Sequence, residues 1–68
     1  MEITVFIEKE NSSKAAALAD KSTVGDLLVL LKINPVTSIV SRNDEIIVED
    51  DELHDGDSLK IISVISGG

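Results

Sequence analysis

Leu53-His54-Asp55-Gly56-Asp57-Ser58-Leu59-Lys60-Ile61-Ile62-Ser63-Val64-Ile65-Ser66-Gly67-Gly68 closes the chain. Asp55-Gly56-Asp57 is a strong turn signal, and the run that follows it alternates with period two. Leu59, Ile61 and Ile65 point one way and Lys60, Ile62 and Val64 the other, the pattern of a strand over Ser58 to Ile65. The run then ends on a glycine pair with nothing after it to turn into. One reading of Gly67-Gly68 is a frayed terminus. The other is a thin, flexible tail over residues 66–68 of a domain that occupies residues 1–65. Lacking β-carbons, such a tail threads a narrow channel and lets another protein's active site close around the α-carboxylate.

Working back to the start, Ile3, Val5 and Ile7 alternate with Glu2, Thr4, Phe6 and Glu8. That is a half-buried strand, with Phe6 either covering the second face of a sheet or belonging to a docking patch. Lys9 to Ser13 is polar and suits a hairpin connection. Lys14 to Asp20, with Ala15-Ala16-Ala17-Leu18-Ala19, has helix propensity. The turns on either side leave no room for an ordinary helix, so it reads as the second strand of the hairpin, with Leu18 the core contact.

The clearest helix signal lies next. Ser22 or Thr23 can cap, Asp26 sits where its charge favours a helix N-terminus, and Val24, Leu27, Leu28 and Leu31 recur at helical spacing. Asn34 is the expected left-handed stop and Pro35 bars continuation. Val29 and Leu30 widen the apolar stripe, which predicts a helix of about ten residues lying deep against a sheet. Val36 to Arg42, with Ile39 and Val40 central, and Glu45 to Glu49 read as a hairpin about Asn43-Asp44. The acids Glu49-Asp50-Asp51-Glu52 read as a solvated loop face rather than a metal cluster, because the glycine and spacing of a calcium loop are missing. Leu53 is expected to plug the core from this loop.

Composition narrows the functional classes. Sixty-eight residues make one domain near the lower size limit for folding without staples. With no cysteine and one histidine, His54, disulfides, iron–sulfur clusters and thiolate metal sites are excluded and no metal or cofactor is expected. Thirteen acidic residues against six basic ones give a net charge of −7, which repels phosphate backbones, and a single aromatic residue leaves little for bases to stack on. Nucleic acid is therefore disfavoured and a basic protein surface is the better partner. Leu27 to Leu31 is too short to span a bilayer and no signal peptide is visible, so the expected address is the cytoplasm.

The order strand, strand, helix, strand, strand, loop, strand gives a two-layer α+β fold. The first and last strands are the most apolar, so they belong at the centre, side by side and parallel, joined through the helix as crossover. That is a β-grasp: a mixed sheet of four to five strands with one helix packed across it.

The second half then resembles a known family. Leu53-His54-Asp55-Gly56-Asp57, a strand, and Val64-Ile65-Ser66-Gly67-Gly68 are similar to the Leu-x-Asp-Gly-Asp loop, strand and terminal Gly-Gly of the ubiquitin-like sulfur carriers. These are the ThiS and MoaD proteins and the small archaeal ubiquitin-like modifiers. Thr23-Val24-Gly25-Asp26-Leu27-Leu28 resembles their helix start, and Asn43-Asp44-Glu45-Ile46-Ile47 their second hairpin; Lys9 to Lys21 matches poorly. The resemblance implies a monomeric carrier with no catalytic residues of its own. A ubiquitin-activating-type enzyme would adenylate the Gly68 carboxylate, with Gly67 leaving it sterically bare. A persulfide from a sulfur donor would then convert it to a thiocarboxylate for an acceptor enzyme. In the modifier branch Gly68 would acylate a lysine of a target protein; an unconjugated β-grasp binding module is the third alternative. Phe6, Lys60, Ile62, Val64 and Ser66 are the expected docking residues. Ser63 and Val64 stand where one branch often carries prolines, and the loop before Asp55 is short. The first feature tilts away from molybdopterin synthesis and the second resembles the compact thiazole-type carriers or archaeal modifiers, so thiazole or tRNA thiolation is expected ahead of molybdopterin.

Overall fold

Strand β1, Glu2–Ile7, carries out its alternation: Ile3 and Val5 are fully buried, Ile7 nearly so, and Phe6 is half-buried on the opposite face. The computed structural model describes residues 1–64. A single 3₁₀ turn, Glu8–Glu10, and the left-handed Asn11 reverse the chain into β2, Ser12–Ala17, antiparallel to β1. The alanine-rich segment is thus a strand, shifted towards the N-terminus of the expected Lys14–Asp20. Ile3 faces Ala16 across the ladder, so Ala16 is the buried residue of β2, and Leu18, the expected core contact, packs half-buried against the core. Leu18 lies on the same face but beyond the strand. There it is half-buried and ties down the chain start: its N–H donates to Met1 O at 2.9 Å and its carbonyl accepts from the Met1 amino group at 2.6 Å. Helix propensity yields here because the hairpin ladder satisfies the backbone and the segment is too short to sustain a helix.

Helix α1, Val24–Leu31, opens with a reciprocal capping box. Thr23 Oγ1 accepts from the Asp26 N–H at 3.4 Å, while Asp26 Oδ2 accepts from the Thr23 N–H at 2.9 Å. Val24, Leu27 and Leu28 are buried, but Val29 is 79% and Leu30 51% exposed, so the helix is not immersed. A two-turn helix laid across a sheet buries one stripe, and positions 29 and 30 fall on the other side of it. The helix ends at Lys32, which takes the left-handed conformation (φ 59°), with the Ile33 N–H returning to Leu28 O at 2.9 Å. Asn34 was expected to make that stop. It precedes Pro35, whose ring drives the preceding residue to extended backbone, and it has φ −74° and ψ 117°. Its side chain instead accepts from the Val36 N–H at 2.9 Å and caps the single turn Pro35–Thr37. Val36 therefore lies outside β3 and is exposed.

Strands β3, Ser38–Arg42, and β4, Glu45–Ile47, meet about Asn43 and Asp44, both at positive φ (54° and 67°), the pair that a two-residue hairpin of matching twist requires. The acidic loop follows, and Leu53 within it is fully buried, as its place between acids predicted. Strand β5, Ser58–Ser63, then inserts at the centre of the sheet, giving the order β2-β1-β5-β3-β4. It runs parallel to β1, with Val5 opposite Leu59 and Ile7 opposite Ile61, and antiparallel to β3. The result is a mixed five-stranded β-grasp with α1 across one face. One core, from Ile3 to Ile61, joins sheet, helix and Leu53.

Candidate functional site

The Leu53–Asp57 turn fixes where β5 starts, and therefore the register of that strand in the sheet. Each residue type in it has a separate task. Leu53 is anchored in the core, and its N–H donates to Ser22 O at 2.8 Å. Asp55 Oδ1 accepts from the Glu2 N–H at 2.7 Å, and Gly56, at φ 84°, donates to Glu2 O at 2.9 Å. Asp57 Oδ2 accepts from the His54 N–H at 2.8 Å and meets Arg42 Nη1 at 3.1 Å, while Asp57 O accepts from the Thr4 N–H at 2.9 Å. The turn is thus clamped to the start of β1, which sets the parallel register of the two central strands.

From that register follows the face opposite α1. Leu59 and Ile61 point into the core, so Lys60 and Ile62 point out. Phe6 lies beside Lys60 in the β1–β5 ladder, and Ile39 lies opposite Ile62 in the β3–β5 ladder. Phe6, Ile39 and Ile62 are all half-buried. Lys60 is exposed, its Nζ 3.4 Å from Glu8 Oε2. Val64 is 52% exposed just past the strand, its N–H donating to Thr37 O at 2.9 Å. Three of the expected docking residues, Phe6, Lys60 and Ile62, therefore share one face as near neighbours, and Val64 follows just past the end of β5. Ile39 was missed as a member of this patch, although its alternation with Val40 carried the signal. Ser66, Gly67 and Gly68 lie outside the described residues, as does Ile65, the expected end of the last strand.

The acidic run works through its backbone and one side chain. Glu49 O accepts from the Gly25 N–H at 3.0 Å and Asp51 O from the Val24 N–H at 3.0 Å, which satisfies two donors of the first turn of α1. Asp51 Oδ2 accepts from the Val48 N–H at 2.7 Å. Among the described residues no helix is long and apolar enough to cross a membrane.

The ThiS family model matches residues 3–68. The sulfur carrier protein TtuB of Thermus thermophilus is 37% identical over 43 residues, which is 63% of this chain and 66% of that protein. Among solved structures, SAMP1 from Haloferax volcanii superposes with a TM-score of 0.77 at 19% identity, over 100% of both chains. Thiamine biosynthesis protein ThiS from Geobacter metallireducens gives 0.70 at 23% identity, again over 100% of both. The ubiquitin of Caldiarchaeum subterraneum gives 0.74 at 20% identity, over 100% of this chain and 98% of that one. At these identities the structural likenesses establish the fold.

Proposed function

The chain belongs to the ThiS family, and from that premise we propose that it is a sulfur carrier whose reactive group is the Gly68 carboxylate. The observation that carries this reading is that the family match runs through the terminal Gly67-Gly68 rather than stopping at the folded core. The chemistry is consistent with a substrate protein rather than a catalyst. A carboxylate resists nucleophiles until one oxygen becomes part of a leaving group. An activating enzyme supplies that by attaching AMP from ATP with loss of pyrophosphate. The terminal sulfur of a donor persulfide then displaces AMP to form an acyl disulfide, and a second thiol on the donor side reduces its S–S bond, which releases the thiocarboxylate and leaves a disulfide on the donor. Gly67 and Gly68 leave the carbonyl without side-chain shielding.

The activating enzyme docks on the open sheet face, against Phe6, Lys60, Ile62 and Val64, and Ser66 is a further contact on the strength of the family resemblance alone. A half-buried apolar centre with a charged rim has the anatomy of a protein-binding patch. The sulfur is destined for a thiazole or a tRNA base rather than molybdopterin. The Val64 N–H is engaged with Thr37 O, a bond that a proline at position 64 could not make.

Incubation of the chain with its activating enzyme, ATP and a sulfur source should raise its intact mass by the difference between sulfur and oxygen. An unchanged mass with every activating enzyme of its own cell would overturn the proposal.

A further inference from the structure

Between α1 and the β3–β4 hairpin the surface sinks into a groove of about 380 Å³. It is lined by Val24 and Leu28 of α1, by Pro35, Val40 and Ile47, and by Val48, Glu49 and Asp50 at the start of the acidic loop. The volume lies near the lower end of the range for binding cavities, about 300–1,000 Å³, enough for a large apolar side chain and its neighbours. Two of the exposed large apolar residues of the chain line it, Ile46 at 71% and Val48 at 61%. The groove reaches the margin of the open sheet face through Ile39 and Ile46, but Phe6, Lys60 and Ile62 take no part in it.

Charge decides what fits there. Eight of the thirteen acidic residues fall within residues 44–57, a window with no lysine or arginine. Asp57 is held by Arg42, but among the described residues Asp44, Glu45, Glu49, Asp50, Asp51, Glu52 and Asp55 form no ion pair. Nor is their backbone free to drift. The loop is pinned to α1 through Gly25–Glu49 and Val24–Asp51, and to Ser22 through Leu53. Negative charge is thus held in place beside an apolar cleft, with no internal cation to displace when a partner arrives. A second copy of the chain brings a charge of −7 and is repelled; phosphate groups are repelled likewise.

We propose that this groove docks a short basic segment of a partner protein, seating one aliphatic side chain on Leu28, Val40 and Ile47 while flanking Lys or Arg side chains face Glu49 and Asp50. The inference is independent of the chemistry at Gly68.

The test is amide chemical-shift mapping on the ¹⁵N-labelled full chain with three synthetic peptides. The first is acetyl-Lys-Arg-Leu-Arg-Lys-amide, the second has glycine for the leucine, and the third has the basic residues replaced by Asp and Glu. The first should shift amides of Val24, Leu28 and Ile47 to Asp50, and the other two should not. Its affinity should fall about tenfold between low salt and 0.5 M, and about tenfold or more in the double variant Glu49→Gln, Asp50→Gln. Both side chains are exposed, so the variant should fold; its unperturbed amide spectrum elsewhere verifies that. Equal shifts with the glycine peptide, shifts confined to Phe6 and Ile62, or no shift at millimolar peptide would each overturn the proposal. So would shifts of the groove amides that grow with protein concentration alone, since the occupant would then be a second copy.

Discussion

Two glycines show how differently the same residue type is used. Gly56 sits at φ 84° with open space around it. The backbone, and not a neighbour, demands glycine there, because a β-carbon strains that conformation wherever it points. Gly56→Ala should therefore cost about 1 kcal/mol, seen as a lower urea midpoint at unchanged slope. Gly25 lies in the first turn of α1, where an added β-carbon would meet Glu49 O at 3.5 Å and Thr23 Oγ1 at 3.6 Å. Those are ordinary contacts, so Gly25→Ala should stabilise the chain by about 0.5 kcal/mol through helix propensity; a loss of stability would show that the acidic loop packs more tightly on the helix than these distances indicate. Asp55-Gly56-Asp57 was legible in the sequence because each residue's turn chemistry is local. The helix stop was less so. Asn34 has the right chemistry for a left-handed cap, but its proline neighbour removes the option, and Lys32, a residue with no special affinity for that conformation, takes it.

At the scale of the element, α1 illustrates where pattern reading stops. Val24 and the unbroken run Leu27 to Leu31 fix that this is a helix against a sheet, but a contiguous apolar run leaves the rotation of the helix under-determined. The sheet settles it: Leu28 is 2% exposed and Val29 79%. Leu28→Ala should cost roughly 2–5 kcal/mol, whereas Val29→Ala should stay within about 0.5 kcal/mol of the parent. Equal losses, measured by thermal or urea unfolding, would mean that α1 is rolled relative to the sheet. The same limit explains β2. Its alanines favour a helix in isolation, and only the ladder to β1, which is a long-range property, makes them a strand and buries Ala16 more completely than Leu18.

For the whole molecule, the topology was legible because the two most apolar strands must be shielded on both sides, and β1 and β5 do occupy the interior of the sheet. The groove beside α1 was not, since its walls come from three separate parts of the chain that meet only on folding. Among the described residues, the eleven buried members of the core lie between Ile3 and Ile61. A domain of this size has a net stability of only about 5 kcal/mol, which makes any contribution from the terminus easy to detect. Gly68→Ala should leave the melting temperature within about 1 °C, since a change of 1 kcal/mol would move it by several degrees. In the activation assay the same variant should lose most of the mass shift, because the added methyl group lies next to the carbonyl that must be attacked. A variant that melts several degrees lower would place the terminus within the folded structure. One that melts normally and is charged as fast as the parent would show that the bare carboxyl end is not what the activating enzyme reads.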